Sequence, residues 1–215
     1  MKSFRPIPGD PWPHDMSITV EDRPHQLLEL LWLREAYALH PDGDDVPPLL
    51  VEAPAPAAMV IDDGTRATWQ AAWPRIWHAV AEHAGRDLDP RLFDAIRDQP
   101  AGSAEREAIL RGMFGPTWDD EFGRDALDDP SLRVWDENGM RALNASRPRA
   151  FEDIPERRDL DALVPAWRAG LTKIVTIPSR GEHTRRLGPN SLLITASTRE
   201  DSDRYRRALG SFERL

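Results

Sequence analysis

Lys173-Ile174-Val175-Thr176-Ile177 and Ser191-Leu192-Leu193-Ile194-Thr195-Ala196 are short apolar runs bounded by Gly, Pro and Asn. Runs of this length, rich in branched side chains, read as strands with at least one buried face. An arginine-rich segment separates them. After them, Ser197-Thr198-Arg199-Glu200 has the form of a capping box, a hydroxyl followed three residues on by a carboxylate. Tyr205, Ala208, Leu209 and Phe212 then recur at helical spacing, with Gly210 placed to end or bend the helix. Gly170–Phe212 therefore predicts a strand–loop–strand–helix unit, its strands pairing most simply as a hairpin.

The upstream chain reads mainly as helices. Residues 23–39 carry Leu27, Leu28, Leu30, Leu31, Trp32 and Leu33, leaving a narrow polar strip, so this helix should be central. Asp22 is placed to cap it and Pro24 fits its first turn. Trp69, Ala72, Trp73, Ile76, Trp77 and Val80 mark one face of a helix over 65–84, which Pro74 should kink or divide and Gly85 should end. Those tryptophans read as core, because each buries a large area and needs only one hydrogen bond. Trp12 and Trp118, beside turns, should be partly exposed.

Two short helices are expected at 90–98 and 103–113, and one helical turn within the acidic stretch 117–129. Leu49–Glu52 and Ala58–Ile61 read as two strands or a buried loop. Leu132–Trp135 and Met140–Leu143 flank Asn138-Gly139, a hairpin signal. An irregular connection follows at 144–157. Leu160, Leu163, Val164 and Trp167 mark a further helix that Gly170 stops. Residues 1–16, with four prolines, predict an extended arm that Phe4, Ile7 and Trp12 pin to the body.

The expected architecture is α+β: mainly helical, with a small, mostly antiparallel sheet built from late strands. The domain reading is an arm over 1–16 and a single domain over 17–215.

Composition narrows function by exclusion. The chain has no cysteine, which removes disulfides, thiolate nucleophiles and cysteine metal sites. No apolar stretch approaches a bilayer span of about 18 residues, and Met1–Pro6 lacks an apolar signal-peptide core. A cytoplasmic protein without membrane association is expected. A net charge of −9 disfavours bulk binding to nucleic acid. Basic charge is carried by 26 Arg and two Lys, a bias that reads as GC-rich bacterial coding. Residues 180–215 nevertheless hold eight Arg against five Asp and Glu, so positive charge gathers at one end of an acidic chain.

Catalytic motifs give little. His78 and His83 are five apart, and a helical metal pair needs three or four. The acidic stretches Asp42–Asp45, Asp119–Asp129 and Asp136–Gly139 miss the calcium-loop spacing. No nucleophile elbow, Walker loop or dinucleotide fingerprint occurs. No metal or cofactor is implied.

The remaining cluster is Arg180, His183, Arg185 and Arg186. Guanidinium forks suit carboxylate or phosphate, and His183 titrates near neutrality. In a simple hairpin, this loop and the following helix start would sit at opposite ends of a strand, about 15–20 Å apart. The leading reading is a non-catalytic intracellular binding or interaction protein with an acidic surface and a basic protein partner. The alternative is an enzyme acting on an anionic small molecule, Arg180, Arg185 and Arg186 holding the anion and His183 moving a proton.

Overall fold

A computed structural model describes residues 10–43, 45–87, 89 and 91–213. Its strands are β1 (Thr19–Asp22), β2 (Lys173–Ile177), β3 (Thr184–Leu187) and β4 (Ser191–Thr195). Its α-helices are α1 (His25–Ala36), α2 (Asp63–Ala84), α3 (Arg91–Arg97), α4 (Ala104–Phe114), α5 (Asp119–Phe122), α6 (Pro130–Ser146), α7 (Pro155–Arg158), α8 (Leu160–Arg168), α9 (Ala196–Glu200) and α10 (Ser202–Glu213). The expected α+β, mainly helical character is present.

The sheet order is β1-β2-β4-β3. Both apolar runs are strands and neighbours, but they run parallel, Lys173 opposite Ser191 and Ile177 opposite Thr195. β1 is parallel to β2 on its other side, and only β3 is antiparallel, Leu187 lying opposite Ser191. The expectation of a mostly antiparallel sheet with a β2–β4 hairpin is therefore corrected. Its cause is β3, a strand of Thr-Arg-Arg-Leu inside the segment that reads as a charged loop. β3 takes the antiparallel place beside β4 and leaves β2 the parallel one. Arginines suit an outer strand because they discourage pairing with another chain.

Helices cover both faces. Val175, Ile177, Leu187 and Leu193 pack against α1 and α2. Ile174, Leu192 and Ile194 pack against α8 and α10, through Leu163, Tyr205, Leu209 and Phe212. Trp73 and Trp77 are fully buried and Trp69 nearly so, as their spacing predicts. Trp118 is also buried, at 1% exposure, because its ring meets Trp69 edge-on at 5.3 Å; its expected exposure is corrected.

Local chemistry explains the other departures. Asp22 ends β1 and accepts from Thr176 Oγ1, at 2.8 Å, rather than capping α1. α2 runs unbroken through Pro74, its start capped by Asp62 on the Thr65 amide. The Asn138-Gly139 hairpin is replaced by α6, which Asp129 caps and Pro130 opens. Gly139 sits inside this helix because a Cβ there would fall 2.3 Å from the Arg23 guanidinium. The 144–157 connection is shorter than expected, since α6 reaches Ser146 and α7 begins at Pro155. The capping position before α9 is Thr195, whose Oγ1 accepts from the Thr198 amide, two residues ahead of the expected serine. Gly210 lies inside α10.

Residues 49–61 form neither two strands nor a buried loop: Leu49 and Val51 are each 55% exposed, and one bridge joins Leu50 to Ser179. Residues 1–9 lie outside the described residues, and Phe4 and Ile7 with them. Asp10–Met16 form no helix or strand, and the half-buried Trp12 donates its indole N–H to the Met16 carbonyl at 3.0 Å. No helix of the described residues is long and apolar enough to cross a membrane.

Candidate binding cleft at the carboxyl end of the sheet

After β1 the chain turns to α1 on one face of the sheet, and after β4 it turns through α9 to α10 on the other. Where successive parallel strands send their chains to opposite faces, the gap over the strand between them stays open. That strand is β2. A cleft of about 320 Å³ lies at its carboxyl end. Thr176, Ile177 and Pro178 line it from β2, Arg23 from the end of β1, and Ala196, Ser197 and Glu200 from α9. Trp135, Ala142 and Leu143 of α6 complete the lining.

The α6 wall is built around Arg23. This residue takes φ +59°, a left-handed conformation unfavourable for a side chain with a Cβ. Its guanidinium donates to Asp136 Oδ1 at 2.8 Å, lies 5.4 Å from the Trp135 ring centroid and presses on Gly139. The Trp135 indole donates to the Glu52 carbonyl at 2.9 Å, tying α6 to the 49–61 loop. At the mouth, the carboxylates of Glu52 and Glu200 have no hydrogen-bond or ion-pair partner among the described residues.

A second hollow of about 300 Å³ adjoins the first and shares Leu143, Ser146 and Glu200 with it. Its floor is a buried charged network. Arg199 grips Glu156 with two bonds of 2.7 and 2.8 Å and lies 3.6 Å from Asp22. Tyr205, fully buried, donates to Glu156 Oε1 at 3.0 Å. Burial, and then the Glu156 charge, hold the Tyr205 phenol well above its usual range. Asp159, 1% exposed, gathers Arg158, Ser202 and Arg206. Each of these groups is held by another, the condition under which buried charge is tolerated.

The sequence-derived cluster is divided among three directions. Arg180 donates Nε to the Leu50 carbonyl at 2.7 Å. Arg185, opposite Leu193, points to the α1/α2 side, with NH2 3.9 Å from Asp45 and NH1 in no hydrogen bond among the described residues. Arg186 projects from the other face of β3, where it binds the Gly188 and Pro189 carbonyls and lies 4.2 Å from the Phe212 ring centroid. The His183 Nε2 is buried without a hydrogen bond; burial first, and Arg185 second, push its pKa below 6.5.

The segment after β2 and the start of α9 do meet, because β2 and β4 are parallel: Thr195 and Ser197 hydroxyls donate to the Gly181 carbonyl at 2.8 and 3.0 Å. The meeting is made by two hydroxyls on one backbone carbonyl, and the arginines take no part. Of the two helical histidines, His83 binds the Met113 carbonyl through Nε2 at 2.9 Å. No cluster of three or more metal-ligating side chains occurs among the described residues.

Sequence reasoning missed Arg23, Trp135, Thr176, Arg199 and Glu156. Gly139 was the available signal: a glycine on an otherwise helical stretch marks a close approach as readily as a turn. The chain matches no protein-family model, no curated protein and no solved structure.

Proposed function

We propose that this chain is a non-catalytic binding protein whose ligand is a small molecule with a mainly apolar body, seated at the carboxyl end of β2. The observation that carries this reading is the cleft itself. It lies where the topology leaves the sheet open, and its volume falls within the usual range for small-molecule sites, about 300–1,000 Å³. Ile177, Pro178, Trp135 and Leu143 give it apolar walls. In the adjoining network the buried Glu156, Asp159 and Tyr205 are committed to partners, which suits a rigid receptor better than a proton-transfer site. Glu52 and Glu200 at the mouth favour a ligand whose polar end donates hydrogen bonds. An intracellular setting and a bacterial source, read from a cysteine-free and arginine-rich composition, belong to the same proposal.

The enzyme reading keeps one supporting observation, the buried His183 Nε2 and Arg185 NH1 without hydrogen bonds. It ranks second because the three arginines diverge.

Ligand-observed NMR with a set of small aromatic and aliphatic fragments tests the cleft. Ala142 is exposed on α6 and lines it, so Ala142→Trp fills the space without disturbing the core. Fragments should bind the parent chain and be lost from the variant. Equal binding to both would overturn the assignment.

A further inference from the structure

A separate cavity of about 410 Å³ lies between the first turns of α1 and the segment joining α5 to α6. Its most unusual occupant is Glu29. The helix places this residue among Leu27, Leu28, Leu30 and Leu31, and its side chain is only 7% exposed. A buried carboxylate is costly unless hydrogen bonds compensate it. Glu29 Oε1 is shut away from solvent and accepts none. Its nearest charges are the His25 Nε2, an ion-pair partner at 3.2 Å on an exposed ring, and Arg124 NH2 at 3.9 Å.

Other carboxylates at this cavity have firm partners. Asp136 holds Arg23, and Asp129 receives the Ser131 and Ala58 amides. Arg124 is itself engaged by Asp119 at 2.9 Å and Asp128 at 3.3 Å. Glu29 thus stands at the cavity held only by an exposed histidine and by a guanidinium that two other carboxylates share.

We propose that this cavity binds a small organic cation, an ammonium or guanidinium group on an apolar body, with its N–H donors on Glu29 and its body against Leu28, Leu127 and Leu132. The ring of His25, 69% exposed, is the counter-ion that such a ligand displaces. Glu29 raises the pKa of His25 above 6.5, helped by Asp136 and opposed by burial and Arg124. Arg133, Asp128 and Asp129 also line the cavity. In acid a His25 imidazolium competes for Glu29, so cation binding strengthens as pH rises through the His25 titration.

Calorimetric titration of the full chain with benzylammonium and phenylguanidinium tests this, with benzyl alcohol as the neutral control. Both cations should bind, and benzyl alcohol should not. Glu29→Gln keeps the shape and removes the charge; it should weaken cation binding at least about tenfold, the loss of one charged hydrogen bond. His25→Gln should bind as tightly near pH 6 as the parent does near pH 8, with its pH dependence flattened. Ala142→Trp, in the other cleft, should change nothing. Equal binding of benzyl alcohol, undiminished binding by Glu29→Gln, or no binding of either cation up to about 10 mM would overturn the proposal. Should Glu29→Gln fail to fold, the His25→Gln profile decides: a pH dependence like the parent's would overturn it.

Discussion

The two faces of the sheet are closed by different chemistry. Beneath α1 and α2 the filling is aromatic and aliphatic: Trp73 and Trp77 stack at 5.2 Å between centroids, and Trp73 donates to the Leu30 carbonyl at 2.9 Å. The Trp32 and Trp77 indole N–H groups are buried with no acceptor among the described residues. Beneath α7–α10 the strands meet a smaller apolar core that includes Leu163, Leu209 and Phe212, and at their carboxyl ends a set of paired charges, Asp22 and Glu156 on Arg199, Tyr205 on Glu156, and Arg206 on Asp159. The first face also buries a charge, Arg34, but holds it on the Pro47 and Pro48 carbonyls and the adjacent Glu35, while the indole N–H groups go unsatisfied because packed area secures their rings. The other faces the cleft and fixes its groups by directed bonds. Apolar packing tolerates imperfect fit, whereas a charged network sets orientation and fails as a unit.

That contrast can be broken most forcefully by single truncations on each face. Trp73→Ala should cost about 3–5 kcal/mol in denaturant unfolding, through lost burial and the cavity left behind. Glu156→Ala should cost up to a similar amount, about 3–5 kcal/mol, for a different reason: it takes the main acceptor from the largely buried Arg199 guanidinium and from the buried Tyr205 hydroxyl, leaving Arg199 only Asp22 at 3.6 Å among the described residues. The combination Glu156→Ala with Arg199→Met should recover much of that loss. If the double variant is no better than the single, the network is not what closes this face.

A smaller effect probes the same network from its buried end. Tyr205→Phe removes only the hydroxyl on Glu156 and should cost about 1–2 kcal/mol, with the fold kept. Loss of a few tenths or less would mean that Arg199 alone satisfies Glu156.

Much of the apolar face was legible in the sequence and little of the charged one. Trp69, Trp73, Ile76, Trp77 and Val80 announce their helix by spacing, and bulk identifies them as core. Glu156, Arg199 and Asp22 lie far apart in the chain and have no periodicity; only the parallel pairing of β1, β2 and β4 brings them together. That pairing was hidden because β1 and β3 are short and largely polar, held by backbone bonds to their neighbours rather than by any apolar pattern of their own. The cleft shares this origin. Arg180, His183, Arg185 and Arg186 were conspicuous as a sequence cluster, but strand alternation sends Arg185 and Arg186 to opposite faces.

The smallest expected effect compares two histidines by pH. Burial depresses the folded pKa of His183, so the unfolded chain takes up its proton first as acid is added. His183 should therefore destabilise the fold as pH falls below about 6.5, and His183→Gln should flatten that slope. His25 has the opposite sign: its raised pKa contributes stability that is complete below about 6.5 and fades as pH rises through its folded value. Midpoints of urea unfolding between about pH 5 and 8 separate the two, since the slopes of the His183→Gln and His25→Gln variants should diverge from the parent in opposite directions. Parallel slopes in all three would remove histidine titration from the account.

The registry of β1 with β2 joins Thr19 to Lys173, so the sheet cannot be assembled until more than 150 further residues have followed β1. Synthesis runs from the other end. The Trp-rich side of α1 and α2 leaves the ribosome well before β2, β3 and β4, which are the surface it finally rests on. At about 5–20 residues per second, the interval between α2 and β4 lasts several seconds or longer. Throughout that time the most apolar part of the molecule is without its cover, and the chain is a natural client for whatever shields nascent helices.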